Sequence, residues 1–149
     1  MAHRVLIVAN RTLGSVEVIA AARERVQAGA TELWIVAPAT QPRDATAGIG
    51  VVTADLPVLA GSDQAYQQAE KRLNETRDRM ASLGVPVGGE VGDADAFKAV
   101  GQVLKTRQFD EILVATLPKH VSHWLRADLP SRLHRKHNLP VTTITTRTP

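Results

Sequence analysis

Lys119, His120, His123 and Arg126 crowd one short stretch, "VATLPKHVSHWLRADLPS" from Val114 to Ser131, with the hydroxyls of Thr116 and Ser122 among them. This set suits an anion, since an ammonium acts as a point charge and a guanidinium offers a planar fork to two oxygens. The stretch follows the apolar run Ile112 to Ala115, where a strand of an α/β protein would end and a ligand loop begin. A second polar turn, Asn10 to Ser15 with Arg11 in it, follows another apolar run, Val5 to Ala9.

Other chemistries find less support. There is no cysteine, which excludes disulfides, thiol catalysis and cysteine metal sites. His120 and His123 make two metal ligands at most, with no Cys or Glu beside them, and two are too few. No Ser-His-Asp set, Walker loop or acid-base pair can be assembled, so the chain is expected not to be an enzyme. A slow nucleotide hydrolase would need a nucleophile or base with a partner, and none is identifiable.

The net charge of +3 is unevenly placed. Residues 119–137 carry five Lys or Arg against Asp128 alone, while the rest of the chain has thirteen basic and fourteen acidic side chains. The excess suits either a solvated basic helix face or an anion site. A further reading sets Arg126, Arg132, Arg135 and Lys136 on nucleic-acid phosphates or an acidic partner. Aromatics make up only 3% of the chain, too few to stack bases, and no recognition motif accompanies them.

The elements that must position these residues follow from periodicity. With 149 residues, 44% of them hydrophobic, the chain suits one domain over 1–149 with a Val, Leu, Ile and Ala core. Val5 to Ala9, Leu33 to Ala37, Val85 to Val91, Asp110 to Ala115 and the β-branched "LPVTTITT" read as strands. Between them, Ser15 is predicted to cap a helix from Val16 to about Ala28, with Val16, Ile19, Ala20 and Val26 inward and Gly29 ending it. Ser62 or Asp63 is predicted to start a helix whose core stripe is Tyr66, Ala69, Leu73, Thr76, Met80 and Leu83. Its Arg72 and Arg79 read as solvent-facing. Asp93 is expected to cap a helix over about Ala94 to Lys105, with Phe97, Val100, Val103 and Leu104 inward, and Asp128 the last helix, ahead of Pro130. Pro38 to Gly61, broken by proline and glycine, is expected to be a flap beside the ligand cleft. Alternating strands and helices with right-handed crossovers give an open, doubly wound, Rossmann-like α/β sheet of five parallel strands. Ligands of such sheets bind outside the carboxyl ends of the strands, where strand order reverses. No apolar run is long enough to span a membrane and no leader pattern opens the chain, so a cytoplasmic protein is expected.

The stretch "GVPVGGEVGDADAFKAV…FDEILVAT" and the closing "SRLHRKHNLPVTTI" resemble the universal stress protein family, and the likeness runs from about Arg4 to Thr146. The resemblance implies a sheet of order 3-2-1-4-5, a homodimer paired through the last strand, and an adenine nucleotide as the ligand. Where nucleotide-binding members carry an acidic residue at the end of strand one, this chain has Asn10, which can still bond a ribose hydroxyl. Val36 falls where the family's second strand meets the adenine through its backbone. The family's Gly-x-x-Gly, spacer and Gly-Ser or Gly-Thr map onto Ala115, Pro118 and the neighbourhood of Asp128, so every glycine is replaced. Glycines let a backbone approach phosphates and expose its N–H groups, Pro118 has no N–H, and Asp128 would repel a phosphate. These replacements argue against ATP in the family's usual pose. The expectation is a non-catalytic module holding a small anionic or nucleotide-like ligand through Asn10, Arg11, Val36, Thr116, Lys119, His120, Ser122 and Arg126.

Overall fold

The computed structural model describes residues 3–39, 57–117, 124 and 128–146, with the backbone alone over 57–63. Five strands, β1 Arg4–Val8, β2 Glu32–Pro38, β3 Val87–Gly92, β4 Glu111–Thr116 and β5 Val141–Thr145, form one sheet of order β3-β2-β1-β4-β5. Every pairing is parallel, with Val8 opposite both Val36 of β2 and Val114 of β4. The described helices are α1 Val16–Gln27, α2 Pro57–Met80, α3 Ala96–Thr106 and α4 Leu129–His137.

The continuous apolar runs in β1 and β4 have a direct cause, because each of these strands is covered on both faces. Val5, Ile7 and Ala9 point into a core closed by Val18 and Ala22 of α1 and by Ala69, Leu73 and Met80 of α2. Leu6 and Val8 alternate to the other face and meet Ala99, Val100 and Val103 of α3 and Leu133 of α4. This is the doubly wound arrangement that the strand pattern predicts.

Where α2 crosses β3 the chain needs two residues without side chains. A Cβ on Gly88 would sit 2.4 Å from Cζ3 of Trp34, and one on Gly89 would sit 2.7 Å from both Leu73 Cδ1 and the Ile35 carbonyl. The "GG" of β3 therefore seats Trp34 on one face of the sheet and α2 on the other.

Several boundaries and faces differ from the sequence expectation. In α1, Val16 is 80% exposed and Ala20 is also exposed, whereas Val18 and Ala22 are buried. Ser15 is the cap, its Oγ accepting from Val18 N, so Val16 belongs to the solvated first turn. In α2, Ala65 is buried while Tyr66 is half exposed, and Ala69, Leu73 and Met80 pack on the sheet. This helix begins at Pro57, so Pro57 to Gly61 of the expected flap are helical; the segment 40–56 lies outside the described residues. Asp95, not Asp93, caps α3 by accepting from Phe97 N and Lys98 N, while Asp93 Oδ1 accepts from Asp95 N. Asp128 holds the N-cap position of α4 with φ of 57°, and its side chain makes no capping bond.

Candidate functional site

Strand order reverses between β1 and β4, so their carboxyl ends diverge into separate turns and leave room between them. Three polar side chains are buried at this junction: Asn10, Thr12 and Thr116. Each has a different hydrogen-bond state, and together they define the site.

Asn10 ties three elements together. Its Nδ2 donates to the Pro38 carbonyl at the end of β2 at 2.6 Å, and its Oδ1 accepts from Arg72 Nη1 of α2 at 2.8 Å. Among the described residues, one amide hydrogen and one lone pair of the side chain stay uncommitted. Thr12 donates from Oγ1 to the Ala115 carbonyl at 3.1 Å, which pins the β1–α1 turn to the end of β4. Thr116 is the exception. Its carbonyl accepts from the backbone N–H of Thr146 at 2.9 Å, yet its own hydroxyl is buried without a hydrogen-bond partner among the described residues. A buried hydroxyl left unpaired costs about 1–3 kcal/mol, and such groups are rare enough in native folds to need a reason.

Of the other residues expected at the site, Arg11 is exposed in the β1–α1 turn. Val36 lies fully buried in β2, and its carbonyl accepts from Ala9 N at 3.2 Å. The structure thus brings Asn10, Arg11 and Thr116 to the carboxyl edge of the sheet, with β1 lying between Val36 of β2 and Thr116 of β4. Lys119, His120, Ser122 and Arg126, like His123, lie outside the described residues.

Two residues missed in the sequence belong here. Arg72 and Arg79 of α2 line a cavity of about 400 Å³ together with Arg11 and the first residues of α1, Val16 and Glu17. Arg79 Nη1 donates to the Gly14 carbonyl at 2.7 Å. Gly14 has φ of +83°, and a Cβ there would lie 3.4 Å from the same guanidinium nitrogen, so the turn takes a residue without one. Burial, and secondarily the charge of Arg11, hold the Arg72 guanidinium below its ordinary pKa range. The signal in the sequence was Thr76, a polar residue in an otherwise apolar stripe. It lies one turn from both arginines and its Oγ1 donates to the Arg72 carbonyl at 2.8 Å.

A cavity of about 570 Å³ at the opposite end of the sheet is lined by Arg4, Arg107, Phe109 and His137 among others. Its charged groups are engaged in holding the fold: Arg4 and Arg107 both pair with Glu32, and Arg107 lies 3.6 Å over the Trp34 ring. In α4, Arg132 lies over the Phe97 ring at 4.4 Å, which takes one of the basic residues onto the protein's own surface. No described helix is long and apolar enough to cross a membrane.

No protein-family model and no curated protein matches the sequence. Solved structures do match the fold. A universal stress protein family member from Burkholderia pseudomallei superposes with a TM-score of 0.66 at 17% identity, over 95% of this chain and 94% of that one. A universal stress protein family protein from Arabidopsis thaliana with AMP bound gives 0.59 at 11% identity, over 97% and 92%. A universal stress protein in complex with cAMP gives 0.58 at 16% identity, over 97% and 98%. The chain therefore has the fold of the universal stress proteins along nearly its whole length.

Proposed function

We propose that the chain is a non-catalytic ligand-binding module of the universal stress protein type. It takes a small anionic, nucleotide-like ligand at the carboxyl ends of β1 and β4. The observation that carries this reading is the unpaired, buried Thr116 hydroxyl beside Asn10 and Thr12, at the point where strand order reverses. Two proteins of the same fold were solved with AMP and with cAMP, which supports a nucleotide as the ligand class. ATP held on backbone amides, as on a glycine loop, is not part of the proposal, because Pro118 and Asp128 stand in that region of the sequence.

The reading also makes the protein a cytoplasmic homodimer joined through β5. That strand lies at the sheet's edge, pairs only with β4 among the described residues, and exposes Thr142, Thr143 and Thr145. Sedimentation should give the mass of two chains, and a monomer at all concentrations would remove this part.

A thermal-shift series with AMP, ATP, cyclic AMP and adenosine at two salt concentrations tests the ligand. A compound that binds only the folded state adds about 2.7 kcal/mol at 100 times its Kd. The expected result is a shift that depends on the adenine group and survives added salt. Shifts that are equal for all phosphates and erased by salt would mean a basic surface only, and no shift would overturn the proposal.

A further inference from the structure

Three arginines of this fold are neutralised by carboxylates where they pack. Arg4, Arg25 and Arg107 each meet a carboxylate, on Glu32 or Glu111. Arg11, Arg72 and Arg79 behave differently. Among the described residues no ion pair engages any of the three, although all line one cavity of about 400 Å³. The two that make hydrogen bonds make them to neutral acceptors: Arg72 to Asn10 Oδ1 and Arg79 to the Gly14 carbonyl. These bonds fix the guanidinium planes and leave the charges in place.

Burial, and then the neighbouring positive charge of Arg11, lower the pKa of Arg72. Cations gathered in excess of the carboxylates beside them favour an anion. Glu17 and Glu75 also line the cavity, so the count is three cations against two carboxylates. The first residues of the twelve-residue helix α1 also line the cavity, at the positive end of its dipole, with Ser15 Oγ taking the Val18 amide. Planar forks held by neutral acceptors suit the tetrahedral oxygens of a phosphate, which can accept from more than one guanidinium at once.

We propose that Arg11, Arg72 and Arg79 form a phosphate-binding site between the β1–α1 turn and α2, built from side chains and taking the phosphate of a small phosphorylated ligand. The inference rests on the ligand reading above, since that ligand supplies the phosphate. It places the phosphate on the α1–α2 side of the sheet rather than in the turn after β4. Asn10 is a positioning residue here, holding Arg72 by a neutral oxygen.

Calorimetric titration of the full chain with inorganic pyrophosphate, AMP and adenosine, in wild type and in Arg72→Met, Arg79→Gln and Asn10→Asp, tests it. Arg79 is exposed and Asn10→Asp keeps all three arginines, so one misfolded variant does not void the test. The expected result is that each variant weakens pyrophosphate and AMP about tenfold to a hundredfold, as loss of one charged hydrogen bond does, and that Arg72→Met and Arg79→Gln leave adenosine unchanged. Asn10→Asp is expected to act by pairing its carboxylate with Arg72. If AMP binds wild type and all three variants equally, the phosphate site is overturned and the ligand reading stands. If pyrophosphate binds through the arginines but adenine adds no affinity, the phosphate site stands and a nucleotide ligand is overturned. If neither anion binds wild type, both fail.

Discussion

Replacing Thr116 by Val separates stability from function at one atom. Val has the shape of Thr and the same branched Cβ, so β4 keeps its strand preference and its packing. The backbone carbonyl of Thr116, which accepts from Thr146, is untouched. Only the hydroxyl is lost, and it is buried without a partner among the described residues. Removing an unpaired buried hydroxyl recovers about 1–3 kcal/mol, which in a domain of this size raises Tm by roughly 2–10 °C. The same change should weaken the ligand by about tenfold, the equivalent of 1.4 kcal/mol, if the hydroxyl is there to bond it. Calorimetric melting without ligand and titration with AMP give the two numbers. A lowered Tm would mean that the hydroxyl already has a partner. A raised Tm with unchanged AMP affinity would mean that the ligand does not use it. Either result refutes the argument that an unpaired group marks the site.

Three further outcomes follow from the same structure. Gly89→Ala sets a Cβ 2.7 Å from a backbone oxygen that cannot move away, so urea unfolding should lose about 1–3 kcal/mol, whereas Gly101→Ala in α3 meets nothing within 4 Å and should gain about 0.5–1 kcal/mol; similar effects for the pair would disprove the packing of α2 on β3. Thr12→Val leaves the buried Ala115 carbonyl without its donor and should cost about 1–3 kcal/mol, read as a lower urea midpoint at unchanged slope. His137 has its pKa pushed below the ordinary value by burial and then by Lys136. Its neutral form therefore contributes stability above about pH 6.5, the unfolded value, and this is lost as pH falls through the folded value. Unfolding of His137→Gln should accordingly depend less on pH below 6.5 than wild type, and identical profiles would contradict the assignment.

What the sequence made legible was decided by how many neighbours each signal involves. The apolar runs of β1 and β4 needed no context, because a strand covered on both faces excludes polar residues at every position. The cap of α1 at Ser15 was placed correctly, but its face was misjudged: Val18 and Ala22 are buried, while Val16 and Ala20 face solvent. Tyr66 attracted the stripe of α2 by its size, while the structure buries Ala65 and packs Ala69 on the sheet. With Asp93 and Asp95 two residues apart, only the observed bonds tell which side chain reaches the helix amides.

At the site, Asn10 and Thr116 were visible as polar residues ending apolar runs, and the fold rule located them. Arg72 and Arg79 were not, because charges between core positions of a helix ordinarily face water. What turns Arg72 toward the sheet is a contact across 62 residues of sequence, to Asn10, while the exposed Arg79 reaches the Gly14 carbonyl across 65. Pairings of that separation leave no local pattern. The basic stretch that first suggested an anion, Lys119 to Arg126, lies outside the described residues apart from Trp124, and the described charge comes from the β1–α1 turn and α2.

The most direct test of the central claim is a backbone-amide NMR titration with AMP. A ligand at the carboxyl ends of β1 and β4 predicts saturable shifts concentrated in residues 9–16, 72–79 and 115–117. Shifts confined to α4 or to the amino end of the sheet around Arg107 and His137, or no saturable shift at all, would contradict it.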